Sequence, residues 1–335
     1  MPESDAWFIY RGTGVPHDGI DDLPGPPPWR GFAEDAAPIS PFVPENRLEV
    51  QRAGHNYKPD RDIVELVNAA LYLRRPLLVT GRPGTGKSTL ATAIAHELKL
   101  GRVLRWTITS RVTLRDGLYQ YDPLARLYAA SRRDLPAPAP DGDEDLGRYI
   151  RLGPLGTALL PADRPRVLLI DEVDKSDLDL PNDLLTVFED GEFEIPELVR
   201  RAPEQAEAEI HTMDSTERVR VRQGRVRCSN FPIVVMTSND EREFPPAFLR
   251  RCISVSISPP DREKLEQIVA AHLPGLESAS ADLIRRFLDE PSSAALATDQ
   301  LLNAVFLVHA AARQGGVDRA GLAAKLMTPL VRPPR

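Results

Sequence analysis

Cysteine is scarce in this sequence: Cys228 and Cys252 are the two in a chain of 335 residues. They form no Cys-x-x-Cys pair, and the six histidines show no clustered spacing. A disulfide framework and a zinc site are both excluded on that pattern. The two thiols read as reduced packing residues of a cytoplasmic protein. Long apolar runs are missing too. No stretch reaches the ~18 consecutive apolar residues that a membrane span needs. The start, Met1-Pro2-Glu3-Ser4-Asp5-Ala6-Trp7, lacks the basic and apolar regions of a signal peptide. Positive charge is not in excess. Lys and Arg number 42 against 49 Asp and Glu, a net charge of −7, which argues against nucleic acid as a partner.

What is present centres on Gly81-Arg82-Pro83-Gly84-Thr85-Gly86-Lys87-Ser88. The apolar run 76–80 before it reads as a buried strand, and 89–98 after it reads as a helix with an apolar stripe at Leu90, Ile94 and Leu98. Strand, G-x-x-x-x-G-K-[ST], helix is the phosphate-binding P-loop in the context it requires. Gly81, Pro83, Gly84, Thr85 and Gly86 shape a loop of backbone N–H groups. The helix start at Thr89 adds positive potential. Lys87 reaches the β- and γ-phosphates of ATP, and the Ser88 hydroxyl holds Mg²⁺.

Two further strands carry chemistry at their C-terminal ends, where ligands bind in open α/β sheets. The run 166–170 ends in Asp171 and Glu172. Asp171 suits the metal's water shell, and Glu172 suits polarising the attacking water. The run 232–238 ends in Asn239, a neutral donor for that water or the γ-phosphate. The short segment 244–252 ends in Arg250 and Arg251 before a strand at 253–257. With a strand at 103–109, the expected fold is α/β with a five-stranded parallel sheet. No Asn-Lys-x-Asp follows the Asn239 strand, which disfavours a small GTPase.

Three segments differ in texture. Residues 1–45 hold repeated prolines interleaved with Trp7, Phe8, Tyr10, Trp29, Phe32 and Phe42, either a flexible extension or an arm docking on its own domain, a neighbour or a partner. Residues 134–147 look like an exposed mobile loop, and 200–217 look polar and exposed. Residues 218–227 alternate about a turn at Gln223-Gly224 and place five arginines on one face. That face is either a basic surface for a partner or nucleic acid, or a solvated face paired with Glu192 and Glu194. From residue 259 helical patterns alone remain, so the expected units are 1–45, an α/β domain at 46–258 and a helical lid at 259–330.

The P-loop, Leu168-Leu169-Ile170-Asp171-Glu172, Thr237-Ser238-Asn239 and Phe248-Leu249-Arg250-Arg251 together resemble Walker A, Walker B, sensor 1 and arginine finger of an AAA+ ATPase. Tyr149-Ile150-Arg151-Leu152-Gly153-Pro154-Leu155-Gly156 and the 192–227 hairpin resemble the helix-2 and pre-sensor-1 insertions of the MoxR branch. The N-terminal Trp-Phe-Ile-Tyr-Arg-Gly-Thr-Gly pattern resembles MoxR ATPases of bacterial von Willebrand A-domain ternary systems. The resemblance implies an ATP-driven homo-oligomeric ring, usually hexameric, that remodels a protein client such as a von Willebrand A-domain protein. It implies Arg251, or else Arg250, reaching a neighbour's nucleotide. A slow nucleotide-dependent switch and a nucleic-acid-associated NTPase are the alternatives. One departure stands out: the lid helix start at Ala297-Thr298-Asp299-Gln300 has no sensor 2 arginine, and Arg285, Arg286 and Arg313 lie elsewhere.

Overall fold

The computed structural model describes residues 5–32, 37–131, 145–289, 297–314 and 319–327. Its strands in chain order are β1 (Leu77–Gly81), β2 (Leu104–Thr107), β3 (Tyr119–Tyr121), β4 (Ile150–Leu152), β5 (Val167–Asp171), β6 (Glu192–Glu194), β7 (Glu207–His211), β8 (Arg218–Arg222), β9 (Arg225–Arg227), β10 (Ile233–Ser238) and β11 (Ile253–Ile257). The five-stranded sheet has the order β11-β1-β10-β5-β2, all parallel. This is the α/β sheet expected from the five apolar runs. The central runs β1, β10 and β5 are apolar on both faces because both faces are covered, whereas the edge strands β2 and β11 alternate. Leu78, Leu168, Ile170 and Met236 pack into one core, while Leu77, Val79, Leu169 and Val235 pack into the other. The two-residue period of a strand sends neighbours to opposite sides.

The helix Lys87–Glu97 lies on the second face, with Leu90, Ile94 and the following Leu98 fully buried. Arg61–Leu73 packs there as well through Ile63, Val67 and Leu71. Because the strands are parallel, their C-terminal ends share one edge, and that edge receives the P-loop, Asp171, Asn239 and the turn after β11.

A second sheet, ordered β3-β4-β7-β8-β9-β6, was only partly legible. The β8–β9 hairpin turns at Gln223-Gly224 and pairs with β6, as its alternation suggests. The segment 200–217, expected to be exposed, contains β7, whose Ala208 and Ile210 are buried. Its Glu-Ala-Glu-Ile-His alternation is a one-sided strand whose solvent face is acidic. A single parallel bridge, Arg151 to His211, joins β4 to β7 and so fuses the two insertions into one sheet. Of the loop expected at 134–147, residues up to 144 lie outside those described. Asp145 is not merely solvated: it caps the turn Leu146–Tyr149 and pairs with Arg218 at 2.5 Å.

The N-terminal arm docks on its own chain. Phe8, Ile9, Tyr10, Ile20 and Phe32 are buried. The Asn68 amide accepts N–H bonds from Ile9 at 2.7 Å and Tyr10 at 3.0 Å and donates to Tyr10 O at 2.7 Å. Farther on, Ile39 and Ser40 donate to Pro161 O, and Arg102 donates to Val43 O. At the other end of the chain, helices Arg262–His272, Glu277–Asp289, Thr298–Gln314 and Arg319–Leu326 enclose a core of their own around Leu265, Ile284, Phe287 and Leu301. Among the described residues no helix is long and apolar enough to cross a membrane.

Candidate active site

The strand ends converge on Lys87. Its ammonium donates to Gly81 O at 2.7 Å, Arg82 O at 2.8 Å and Asn239 Oδ1 at 2.8 Å. Burial pushes the lysine's pKa down, and Asp174, Asp171, Asp240 and Glu172 oppose that shift. A desolvated cation ringed by carboxylates and held over its own loop is suited to exchange those carbonyls for phosphate oxygens.

Ser88 Oγ donates to Asp171 Oδ1 at 2.8 Å, and Thr237 Oγ1 donates to the same oxygen at 2.5 Å. Thr237 Oγ1 in turn accepts the Glu172 N–H at 2.9 Å. The sequence pointed to Ser88, Asp171 and Glu172 but not to Thr237, which stitches β10 to β5 and aims Asp171. Asp174 was also missed. It is buried, and its Oδ2 accepts the N–H groups of Asn239 at 2.8 Å and Glu241 at 3.2 Å, while its buried Oδ1 has no partner among the described residues. The signal for both was available: Thr237 stands two residues before Asn239, and Asp174 closes the run Asp171-Glu172-Val173-Asp174.

Glu172 adopts the left-handed region at φ 61°, a conformation that costs a non-glycine residue of order 1 kcal/mol. Its carboxylate meets Lys175 at 2.7 Å, and both side chains are partly exposed. Here Glu172 is held by a lysine beside the cleft.

The cleft itself has a volume of about 920 Å³, enough for a nucleoside triphosphate. Pro83 to Thr89, Asp171, Glu172, Thr237 and Asn239 line its phosphate end. Tyr57, Ile268, His272 and Leu302 line the other end, where an apolar and aromatic wall suits a purine. Thr298 and Asp299 also face it. A Cβ on Gly84, at φ 76°, would strike Ala297 Cβ at 2.4 Å, so the lid helix abuts the P-loop there. Gln300 turns back to accept the Ala297 N–H at 3.0 Å. Arg285 and Arg286 do not line the cleft, and the side chain of Arg313 lies outside the described residues. Among the described residues no arginine lines it at all.

The two finger candidates stand apart from this cluster. Arg251 pairs with Glu189 of the same chain and donates to Ala247 O. Arg250 is exposed, its carbonyl accepts from Arg75 at 3.2 Å, and its guanidinium has no partner among the described residues.

The donor set fits ATP with a divalent metal: the Ser88 hydroxyl, the Asp171 carboxylate it is bonded to and a desolvated lysine above a glycine loop. The parallel sheet with this half-site at its carboxyl edge defines a P-loop NTPase of the AAA type. The family described as AAA domain, dynein-related subfamily, matches residues 76–252, more than half of the chain, and the protein belongs to that family. No curated protein matches the chain. Among solved structures, the FIGL-1 AAA domain in complex with ADP is 16% identical, with 77% of this chain and 73% of that chain covered and a TM-score of 0.38.

Proposed function

We propose that the protein is a MoxR-type ATPase working as a ring, in which hydrolysis at a site shared by two subunits remodels a protein partner. AAA domains hydrolyse nucleotide generally, and the half-site above is complete for binding. The observation that carries the shared site is the missing arginine. Lys87 is the cation placed among the phosphate-binding groups, and among the described residues no arginine lines the cleft. Charge that develops on the transferred phosphoryl group calls for a second cation from elsewhere.

Arg250 is the better supported donor, because Arg251 is occupied by Glu189. Ser88 and Asp171 would hold Mg²⁺, which neutralises phosphate charge when bound. Lys87 binds the β- and γ-oxygens, Asn239 orients water or the γ-phosphate, and Glu172 takes the water's proton once released from Lys175. The client, on this reading, is a protein such as a von Willebrand A-domain partner. Exposed Leu124, Leu127 and Tyr128 on one face of the helix Pro123–Ser131 support a protein partner.

The test combines size and turnover. Glu172→Gln should keep ATP binding and lose at least 100-fold in turnover, the order associated with a positioned base. Arg250→Ala should leave binding intact and stop hydrolysis. Mixing Arg250→Ala with Lys87→Ala subunits should restore activity at hybrid interfaces. Full turnover by a species that stays monomeric with ATP would sink the shared-site reading.

A further inference from the structure

Glu97 ends the P-loop helix and is fully buried. A carboxylate at a helix C-terminus opposes the helix dipole, and burying it is costly unless hydrogen bonds replace water. The replacements all come from the N-terminal arm. Glu97 Oε1 accepts the N–H groups of Arg11 at 2.5 Å and Gly12 at 3.1 Å, and Oε2 accepts the Gly14 N–H at 2.8 Å. His17 Nε2 stands 3.5 Å away, and the His17 N–H donates to Glu97 O at 2.8 Å. Nothing in nucleotide chemistry uses this residue, and nothing in the arm's own sequence requires an anion beneath it.

The pinned stretch of arm also packs against the segment 53–60. Gly14 O lies 3.0 Å from His55 Nδ1, and Thr13 O accepts from Lys58 Nζ at 3.0 Å. That segment walls the base end of the cleft with Asn56, Tyr57 and Lys58. The Tyr57 ring lies 3.3 Å from where a Gly86 Cβ would stand, so it rests on the P-loop. The same segment is tied to the lid: Asn56 Nδ2 donates to Ala271 O at 2.9 Å, and Asp60 pairs with Lys264 at 2.7 Å. Arm, wall, P-loop and lid therefore form one connected packing unit, and Glu97 is where the arm is fixed.

We propose that Glu97 is a positioning residue for the nucleotide, acting through the arm. Its carboxylate seats residues 11–14 behind the wall 53–60 and so holds Tyr57 and the lid contacts in their binding arrangement. The inference rests on the cleft being the nucleotide site. The family's P-loop chemistry does not involve this contact, because Glu97 touches neither phosphate nor base.

Two variants of the full chain approach the contact from its two sides. Glu97→Gln puts an N–H donor against N–H donors. Gly14→Ala, at φ 72° with a Cβ that would meet His55 O at 2.4 Å, unseats the arm with no substitution in the P-loop helix itself. Binding of a fluorescent ADP analogue and the kcat and KM for ATP are measured well below each variant's melting temperature. Both should weaken ADP binding and raise KM by about tenfold, the order by which outer supports change affinity, with the change falling on KM rather than kcat. A residue with a merely structural role would lower the melting temperature and leave KM where it was. Should Glu97→Gln not fold, Gly14→Ala decides. A folded Gly14→Ala that binds ADP as the wild type does overturns the proposal. If the wild type itself binds no better than Lys87→Ala, the nucleotide reading has failed instead.

Discussion

Asp171 Oδ1 accepts from the Ser88 and Thr237 hydroxyls together, and Thr237 Oγ1 also accepts the Glu172 N–H. One threonine thus fixes the Asp171 carboxylate and the backbone of Glu172. Thr237→Val keeps shape and removes the hydroxyl. It should lower kcat by about 10- to 100-fold, as loss of an outer hydrogen bond to a metal-binding group does, and change ADP affinity little. Thr237→Ser should restore most of the rate; a valine variant with wild-type kcat would remove Thr237 from the machinery. The Glu172–Lys175 pair at 2.7 Å makes the opposite kind of prediction. Lys175→Ala frees the carboxylate, and basal turnover should rise about two- to fivefold, the range an exposed ion pair carries. Unchanged or lower basal turnover would mean that Lys175 does not restrain Glu172.

Among elements, the arginine-rich hairpin takes the paired reading of its face rather than the basic one. Arg222 meets Glu207 at 3.0 Å, Arg225 meets Glu194 at 2.8 Å, and Arg227 meets Glu192 at 3.4 Å, across strand neighbours. Arg220 lies 3.5 Å from Glu207 and 3.6 Å from Glu209, and Arg218 pairs with Asp145. The face is a ladder of alternating charge rather than a basic surface. The wild type should therefore bind DNA or RNA no more tightly than its net charge suggests. The double variant Glu207→Gln, Glu209→Gln should gain weak, salt-sensitive binding, read by fluorescence anisotropy at two salt concentrations. Two other polar positions set a pH response. Burial and then His55 hold His96 below the usual histidine range, and burial and then Arg218 do the same for His211. The folded state prefers both neutral, whereas the unfolded chain protonates them near pH 6.5. Their contribution is present above about pH 6.5 and is lost as the pH falls below it. Melting temperatures should drop between pH 7.5 and 5.5, and the double variant His96→Gln, His211→Gln should flatten part of that drop.

At the scale of the whole molecule, the arm is a strap. It packs against Arg61–Leu73, crosses behind the base wall and reaches Pro161 and Arg102. Its prolines, which forbid a helix, suit an extended path over another surface, and its aromatics are what that path buries or leaves outward. Phe8, Tyr10 and Phe32 go in, whereas Trp29 and Phe42 stay exposed. The two thiols mark how tight the rest is. Burial pushes Cys228 and Cys252 up to about 12, so neither forms thiolate near neutrality. Native protein at pH 8 should react slowly with a thiol reagent, and both should react at once in denaturant. A fast thiol in the native protein would contradict the packing around these two positions.

The residues that the candidate site brings together were legible in the sequence alone, because each of its parts is local. The P-loop, the two acids and Asn239 each sit at the end of an apolar run, and parallel strands bring such ends to one edge whatever the loops do. The same locality made the five strands, the P-loop helix and most of the C-terminal helices readable. Tertiary structure alone decided the rest. The contact between Arg11 and Glu97 spans 86 residues, and no periodicity records it. The joining of β4 to β7, the pairing of the arginine face with Glu207, Glu209 and Asp145 and the capture of Arg251 by Glu189 are likewise contacts between segments whose pairing the sequence did not record. Glu172 and Asn239 were legible as chemistry, but the residues that aim them, Thr237 and Asp174, became visible only when β5 and β10 lay side by side. Hydrogen bonds across a sheet depend on register, and register is a property of the folded chain.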